Sequence, residues 1–431
     1  MITRDECAIR DAADPLAPLR AHFDLTRADA DGLIYLDGNS LGAMPRRALA
    51  RLSEVAGQQW GAGLIRSWNT AGWITLAQRI GDKIARLIGA RPGETIVADS
   101  TSVNLYKALS AAIAVSKRGN PRRRRIVSER TNFPTDLYIA DTVAREQGFE
   151  LVLVDRSEIP AGFDDDVAIV TLTHVNYRTG YMHPMADVAR AAHGAGALMV
   201  WDLAHSAGAV PVNLYGLGDA EAADFAVGCG YKFLNGGPGA PAFIWAHPAH
   251  TRWMDQESWR QPLSGWLGHA APFAFEPTYE PARGIARFVC GTPPVLSMAA
   301  LECGVDTVLA AEPAGGIEAI RAKSIVLTDL FIELVEERCG GHGLGVASPL
   351  MPRDRGSQVS LTHGSHGYEI VQALIARGVI GDFRAPDILR FGFTPLYTRA
   401  VDVWDAVDRL AAILASGEWR HPRYAVRAAV T

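Results

Sequence analysis

The feature that most constrains the fold is a regular alternation of short apolar runs with amphipathic stretches through the middle of the chain. Seven runs have the length and residue types of buried strands, at residues 95–98, 125–128, 150–154, 167–172, 197–201, 225–227 and 242–245. Helical patterning lies between several of them, at residues 104–115, 136–146 and 185–195. Strands that alternate with helices form a mostly parallel sheet with helices on both faces. We therefore predict an α/β fold whose large domain holds a mostly parallel, seven-stranded sheet.

The pattern changes after residue 295, which indicates a second, smaller domain. Helical stretches at 295–309 and 316–338 precede short apolar segments at 358–362, 379–383 and 388–393 and a closing helix at 400–416. This order predicts a smaller α+β C-terminal domain over residues 296–431. We assign residues 61–295 to the large domain, and residues 1–60 to an N-terminal arm and linker helix.

The composition of the chain excludes several classes of protein. Its 431 residues carry a net charge of −5 and give a pI near 6.2, which argues against nucleic acid as a partner. Five scattered cysteines do not form a disulfide framework. The N-terminus lacks the apolar core of a signal peptide, and no stretch approaches the ~20 apolar residues of a membrane helix. We expect a cytoplasmic protein that binds neither nucleic acid nor membranes.

One lysine, Lys232, stands where a strand gives way to a segment rich in glycine and proline, within ADFAVGCGYKFLNGGPGAP at 223–241. Two interpretations are open from this segment alone. Most lysines are solvated on the protein surface. A lysine whose pKa is lowered by burial or by nearby cations can instead form a Schiff base with a carbonyl. A second segment, upstream in the chain, favours the Schiff base.

That second segment contains Asp202, which follows the apolar run ALMVW at 197–201, and His205. An aspartate there is either a cap for the following turn or a ligand-binding carboxylate at the end of a parallel strand. Pyridoxal phosphate needs a lysine for its aldehyde and an acid that keeps its ring nitrogen protonated, and Lys232 and Asp202 fit those roles. No second histidine or cysteine lies at a zinc-like spacing, so we predict no metal site.

Three further segments offer groups for the rest of such a cofactor and for an amino-acid substrate. Thr101 and Ser102 stand between a strand and a helix, where phosphate binds well, although a plain helix cap is the alternative. Phe133, which precedes a proline, is either a core residue or a ring that stacks on the cofactor. Arg390 is a candidate for binding the substrate carboxylate, with a pairing to a structural acid as the alternative.

Together, eight segments resemble the signatures of the kynureninases, a family of fold-type I pyridoxal-phosphate enzymes in the aspartate aminotransferase-like superfamily. The segments are YLDGNSLG at 35–42, DSTSVNLYK at 99–107, NFPTD at 132–136, HVNYRTG at 174–180, WDLAHSAGA at 201–209, GCGYKFLNGGPG at 228–239, GWLGH at 265–269 and RFGFTPLY at 390–397. They cover nearly the whole chain. The resemblance implies the fold-type I architecture and pyridoxal 5'-phosphate as the cofactor.

The resemblance also implies a role for each matching residue around the cofactor. Lys232 holds the aldehyde, Asp202 pairs with the pyridine nitrogen, and Phe133 stacks on the ring. Thr101 and Ser102 bind the phosphate. The remaining cofactor residues are Asp136, Thr173, His205 and Tyr231 from the same subunit, and Trp266 and Thr292 from the neighbouring subunit. We therefore expect a homodimer whose active sites are shared between subunits.

The reaction that the resemblance implies is the hydrolysis of L-kynurenine to anthranilate and L-alanine, in tryptophan catabolism and NAD biosynthesis. A second candidate substrate is 3-hydroxy-L-kynurenine. The catalytic residues are Lys232, which moves the α-proton, Tyr231, which gives a proton to the β-carbon, and Asp202. The residues assigned to the substrate are Arg390, for its α-carboxylate, Asn39 and Trp68.

Two other functions are compatible with this fold. A cysteine desulfurase or related lyase needs a cysteine on a mobile loop that attacks the substrate sulfur, and none of the five cysteines shows that placement. A non-catalytic regulatory protein of the same fold is expected to have lost Lys232 or Asp202, and both are present. The sequence therefore favours the hydrolase.

Overall fold

The computed structural model describes residues 2–159 and 161–427. In chain order the strands of these ranges are β1 Ile34–Tyr35, β2 Thr95–Val97, β3 Arg125–Glu129, β4 Glu150–Val154, β5 Val167–Thr173, β6 Leu198–Asp202, β7 Phe225–Gly228, β8 Phe243–Ala246, β9 Leu344–Val346, β10 Gln358–His363, β11 Val379–Ile380, β12 Asp382–Arg384 and β13 Ile388–Gly392. None of the helices in these ranges is long and apolar enough to cross a membrane.

The α-helices are α1 Arg4–Ala12, α2 Thr26–Ala30, α3 Arg46–Glu54, α4 Ser67–Thr70, α5 Leu76–Leu87, α6 Thr101–Gly119, α7 Pro134–Gln147, α8 Met185–Gly194, α9 Pro248–Gln256, α10 Val295–Leu309, α11 Gly316–Arg338, α12 Gly367–Ala376 and α13 Ala400–Ser416. The segment Val55–Ala62 continues α3 as π-helical turns. Short 3₁₀ turns join several of the other elements.

A seven-stranded sheet forms the centre of the larger part of the molecule, in the order β2-β8-β7-β6-β5-β3-β4. The strands β3 to β7 run parallel to one another, and β8 runs antiparallel to both of its neighbours. Each of the seven strands lies within one residue of its predicted bounds. The predicted α/β fold with a mostly parallel, seven-stranded sheet is confirmed.

The sheet is buried on both faces because helices cover each of them. All seven residues of β5 are buried. Side chains alternate along β6, so Met199 and Trp201 join the core that includes α5, α8 and α10, whereas Val200 joins the core that includes α6 and α7. Polar side chains therefore gather at the strand ends, where the sheet meets a cavity.

A four-stranded antiparallel sheet, in the order β12-β13-β10-β9, forms the smaller part of the molecule with α11, α12 and α13. Leu389 and Phe391 of β13 face its core, so the side chain of Arg390 between them faces the opposite way. The single strand predicted at 379–383 is wrong, because β11 and β12 belong to different sheets. The chain changes partners at Gly381, where a Cβ would lie 2.8 Å from the Phe391 ring.

The first residues of the chain pack against the smaller part. Helix α1 contacts α13, and β1 pairs in parallel with β11. Cys7, Ile34 and Leu36 lie in the same core as α11 to α13. Helix α10 instead packs against α3 and α5 of the larger part. The division of the chain at residues 60 and 295 stays a prediction. The N-terminal arm contacts both parts, since β1 pairs with β11 and α3 packs against α10.

Candidate active site

A cavity of about 470 Å³ lies at the carboxyl ends of β5 and β6, the side on which open α/β sheets bind ligands. Nine predicted site residues line it, namely Thr101, Ser102, Phe133, Asp136, Thr173, Asp202, His205, Tyr231 and Lys232. Its wall is completed by Asp99, Ser100, Thr135, Tyr177, Ala204, Pro294 and residues 239–242. Within the two described ranges, no group of three or more histidine, cysteine, aspartate or glutamate side chains is arranged to hold a metal ion.

Lys232 reaches this cavity from the loop that follows β7. Small residues make the loop compact, since Gly236 N donates to Gly230 O at 2.9 Å and a Cβ on Gly230 would collide with a neighbouring proline carbonyl. The Nζ of Lys232 lies 2.9 Å from His205 Nε2 and 6.0 Å from the centre of the Phe133 ring. The loop therefore holds the amine at the cavity, beside an aromatic ring.

His205 lies against Lys232 as a neutral imidazole. Burial, reinforced by the charge of Lys232, lowers the pKa of His205 well below its ordinary value. Its buried Nδ1 has no hydrogen-bond partner among the described residues. A buried nitrogen without a partner is costly, so this ring is suited to contact a group bound in the cavity.

Two carboxyl groups, those of Asp202 and Asp136, meet beside Thr173. Asp202 is the last residue of β6 and lies in register with Thr173, the last residue of β5. The Thr173 hydroxyl lies 3.4 Å from Asp202 Oδ2 and 3.2 Å from Asp136 Oδ2. Burial raises the pKa of both carboxyl groups; the charge of Asp202 raises the pKa of Asp136 further, whereas Lys232 opposes the rise at Asp202.

This acid pair fits the ring nitrogen of pyridoxal phosphate. Two buried carboxylates close together repel each other, and a bound cation such as a protonated pyridine relieves that repulsion. The two roles predicted for Asp202 use different oxygens. Its Oδ1 accepts from Ala204 N at 2.8 Å, as a turn cap does, and its Oδ2 lies on the side of Thr173.

The N-terminus of α6 forms the part of the cavity that suits a phosphate. Ser100 caps the helix, with its Oγ 3.4 Å from Val103 N. Thr101 and Ser102 occupy the first turn and line the cavity. The first N–H groups of a helix have no partners within the helix and favour an anion. The cap uses one hydroxyl and leaves two for a phosphate.

Phe133 lies at the N-cap of α7 rather than in the core. Its side chain is 38% exposed, and it lines the cavity. Pro134 at the first helical position fixes the backbone that follows, and the Phe133 ring meets Tyr177 edge-on, with ring centres 5.2 Å apart. One face of the ring is therefore available to stack on a bound heteroaromatic ring.

Arg390 is buried in an ion pair with a structural acid, the alternative that the sequence left open. It lies directly across from Asp382 of β12, and its Nε donates to Asp382 Oδ1 at 2.8 Å. Its Nη2 donates to Asp382 and, at 2.7 Å, to Ser40 Oγ, and its Nη1 donates to Tyr177 O at 2.9 Å. Arginine has five N–H donors, so one on Nη1 has no acceptor among the described residues. Arg390 does not line the cavity, although its neighbour Tyr177 does.

Four more of the predicted residues do not line the cavity of their own chain. Asn39 is fully buried near Arg390, with its Nδ2 3.2 Å from Gln358 Oε1. The Trp68 ring packs edge-on against Trp266, with ring centres 6.1 Å apart. Trp266 and Thr292 are exposed. Active-site roles for these residues stay predictions, and those for Trp266 and Thr292 require a second subunit.

Sequence reasoning missed several residues that build the site. Tyr177 and Asp99 line the cavity, and both stand inside segments that carry the family resemblance. Those motifs were the only signal that pointed to them. Ser40 and Asp382 hold Arg390, and no local pattern connects them to it, because strand pairing and the N-terminal arm bring them together.

Comparison with known proteins identifies the family. Residues 320–410 match the family described as the kynureninase C-terminal domain. A kynureninase of Burkholderia pseudomallei (strain K96243) is 56% identical over 434 residues, covering 100% of this chain and 100% of that protein. The chain belongs to the kynureninase family. A second kynureninase, from Pseudomonas fluorescens, is 54% identical with the same full coverage, so the resemblance seen in the sequence is confirmed.

Solved structures share the fold of this kynureninase-family chain at much lower identity. A mutant of C-DES with glycine covalently linked to the PLP cofactor gives a TM-score of 0.75 at 18% identity, covering 91% of this chain and 98% of that one. A cysteine desulfurase from Thermococcus onnurineus NA1 gives 0.71 at 18% identity, covering 93% and 98%. These likenesses confirm the fold-type I architecture. They do not favour the desulfurase alternative, because identity above one half is found with kynureninases.

Proposed function

We propose that this protein hydrolyses L-kynurenine to anthranilate and L-alanine, with pyridoxal 5'-phosphate as its cofactor. The observation that carries the proposal is the convergence of Lys232, Asp202 and Phe133 on one cavity. Full-length relatives at 54–56% identity bear the name kynureninase. A non-catalytic role is not favoured, because the lysine and the aspartate are both present and share one site.

The residues around the cavity fit each part of the cofactor. Lys232 would bond to the aldehyde, Asp202 would pair with the ring nitrogen and Phe133 would cover one face of the ring. Thr101 and Ser102, with the free N–H groups of α6, would hold the phosphate. When bound, the cofactor supplies an electron sink that stabilises negative charge on the substrate carbon atoms.

Two neighbouring residues are placed to move protons. The Lys232 amine, 2.9 Å from a neutral His205, is the group that takes the substrate α-proton. Burial raises the pKa of the Tyr231 phenol, so Tyr231 stays protonated and can donate to the substrate β-carbon. Overall, the Cβ–Cγ bond breaks, water supplies the oxygen that completes the anthranilate carboxylate, and protons from water complete alanine.

Arg390 is the residue proposed to bind the substrate α-carboxylate. Asp382 accepts from Nε and from Nη2, so among the described residues the N–H group without an acceptor is on Nη1. A carboxylate there would take the free N–H on Nη1 and compete with Ser40 for Nη2. Tyr177 joins this region to the cavity, since its carbonyl accepts from Arg390 and its side chain packs against Phe133.

A second subunit is proposed to complete the site. Trp266 and Thr292 are exposed on this chain, where a partner can meet them. A second cavity of about 570 Å³ is open to the surface and lined by apolar side chains that include Met44, Leu52 and Leu296. Apolar side chains that line an open surface cavity are suited to burial against a second subunit. We infer a homodimer with shared sites, and the cytoplasm as its location.

The test is an assay of the purified protein with L-kynurenine and with 3-hydroxy-L-kynurenine, following the fluorescence of anthranilate or its 3-hydroxy analogue. We expect anthranilate and alanine in equal amounts, and an absorbance band of the bound cofactor that borohydride removes. A band that borohydride removes, without any anthranilate, would leave the cofactor in place and refute the substrate. Release of sulfide or persulfide from cysteine would favour the desulfurase instead.

A further inference from the structure

Lys107 is a fully buried lysine that none of the proposed catalytic steps uses. It lies on α6, about one and a half turns after Thr101 and Ser102, which line the phosphate end of the cavity. Its Nζ donates to the carboxylate of Asp99 and, at 2.6 Å, to the carbonyl of Phe288. A buried ammonium is stable only when it is paired and hydrogen-bonded, so these two partners account for its position.

Asp99 connects this lysine to the cavity. It lies between β2 and α6, directly before the capping residue Ser100, and it lines the same cavity as Thr101 and Ser102. Its side chain is 31% exposed. Its backbone has φ of 42°, in the left-handed region that asparagine and aspartate tolerate better than other residues with side chains. The turn that presents the phosphate site is therefore held in an uncommon conformation.

The charge of Asp99 opposes the function of this turn unless it is compensated. A phosphate carries nearly two negative charges at neutral pH, and an uncompensated carboxylate on the same cavity wall would repel it. Lys107 supplies the compensating charge from the interior. Because it is fully buried, the ion pair is little screened by solvent.

We propose that Lys107 is a positioning residue for the cofactor phosphate, which neutralises Asp99 and fixes the turn that presents Thr101 and Ser102. This inference rests on the proposed function, because it takes pyridoxal phosphate as the ligand. The ammonium touches neither substrate nor cofactor. It acts through the carboxylate of Asp99. It therefore affects how the protein binds the phosphate of the cofactor, and not how it binds the ring.

The second contact of Lys107, with the carbonyl of Phe288, fixes the segment that is predicted to reach the other subunit. Phe288, whose carbonyl accepts from Lys107, lies four residues before Thr292. Between them, Cys290 O accepts from Leu267 N at 3.1 Å, next to Trp266. One buried ammonium thus ties the phosphate turn to the segments that carry both of the predicted cross-subunit residues.

The test compares the affinities of the full-length protein, stripped of cofactor, for pyridoxal phosphate and for pyridoxal, which lacks the phosphate. The variants are Lys107→Met, Asp99→Asn and the double variant, with Lys117→Met on the same helix as the control. We expect Lys107→Met to lower the affinity for pyridoxal phosphate by about 10- to 100-fold, and the affinity for pyridoxal by less than about threefold. Asp99→Asn in the Lys107→Met background should restore most of the loss, because it removes the uncompensated charge.

Two results would overturn the inference. One is an equal loss of affinity for both ligands in Lys107→Met, and the other is a double variant that binds no better than Lys107→Met. If Lys107→Met does not fold, Lys107→Gln, which keeps a donor for Phe288, takes its place under the same criteria. A wild-type protein that binds neither ligand would refute the proposed function, whereas unchanged ligand preference in the variants would refute only the role of Lys107.

Discussion

Lys232 lies beside a neutral histidine and two aromatic rings rather than beside a carboxylate. Its Nζ is 2.9 Å from His205 Nε2, and 6.0 Å and 5.7 Å from the ring centres of Phe133 and Tyr231. An amine can bond to an aldehyde, whereas a guanidinium stays protonated in proteins and cannot. The chemical identity of this side chain therefore matters more than its charge, and Lys232→Arg should abolish both cofactor attachment and turnover.

Arg390 gives a prediction about substrate affinity. Replacing it with lysine keeps the charge but loses the planar fork that a carboxylate fits, so Arg390→Lys should raise KM by about 10- to 100-fold. The turnover number should change much less, since Arg390 is proposed to hold the carboxylate and not to touch the bonds that form or break. Steady-state kinetics with L-kynurenine measure both constants.

Arg384→Lys is the matched control for that prediction. Arg384 also pairs with Asp382, at 2.6 Å, but its side chain is half-exposed and lies next to the sheet edge. We expect its KM to stay within about threefold of wild type, because lysine keeps the charge that faces Asp382 and Arg384 is not assigned to the substrate carboxylate. Equal KM values for the two variants would contradict the assignment of the substrate carboxylate to Arg390.

The sequence predicted which residues line the cavity better than it predicted the partners of those side chains. Lys232 and Asp202 follow apolar strands and stand within recognisable motifs, so local pattern was enough to find them. The partner of Arg390 was not predictable in the same way. Asp382 comes from a neighbouring strand, and Ser40 from the N-terminal arm, and their pairing depends on strand register and tertiary packing.

At the scale of elements, the central strands were predictable because burial on both faces makes them continuous apolar runs. The short strands were not. β1 and β11 have two residues each, too few to show a period of two, and their pairing joins the N-terminal arm to the smaller part. The change of sheet at Gly381 falls inside a segment of five residues, which is too short to show two separate strands in the sequence.

The contact between α5 and α10 gives a prediction about acid stability. Glu302 of α10 accepts from Arg79 at 2.9 Å and from Lys83 at 3.1 Å, both on α5. Burial opposes its ionisation, but these hydrogen bonds outweigh burial and lower the pKa of Glu302 from 4.5 to about 2. Such a lowering corresponds to at most about 3 kcal/mol of folding free energy at neutral pH.

That stabilisation is present above the unfolded pKa and is lost as the pH falls from about 4.5 towards the folded value near 2. Glu302→Gln should therefore lower the free energy of unfolding by about 1–3 kcal/mol at pH 7. The difference from wild type should shrink steadily below pH 4.5. Denaturant titrations at several pH values measure it, and a difference independent of pH would contradict the assignment.

At the scale of the whole molecule, the proposed sharing of active sites between two subunits predicts complementation. A heterodimer is made from one chain with Lys232→Arg and one with Thr292→Asp. The second change places a negative charge at the position predicted to reach the cofactor site of the other subunit. One of the two sites in the heterodimer then receives a native Lys232 and a native Thr292 from different chains. We expect about half of the wild-type turnover from this heterodimer, purified through two different affinity tags.

In the control heterodimer, the two changed residues are ones that each active site takes from the same subunit. A heterodimer of Lys232→Arg with Asp202→Asn has no site with both residues intact, so it should be inactive. Turnover near that of wild type in the control, or none in the heterodimer with Thr292→Asp, would show that the active sites are not shared in the proposed way.

The central claim is that Lys232 bonds to the cofactor aldehyde in the cavity at the ends of β5 and β6. The most direct measurement is borohydride reduction of the holoenzyme, followed by protease digestion and mass spectrometry of the peptides. The account predicts a reduced pyridoxyl-phosphate group on the peptide that contains Lys232, and no labelled peptide from Lys232→Arg. A label on any other lysine, or no label on the wild-type protein with its cofactor bound, would contradict it.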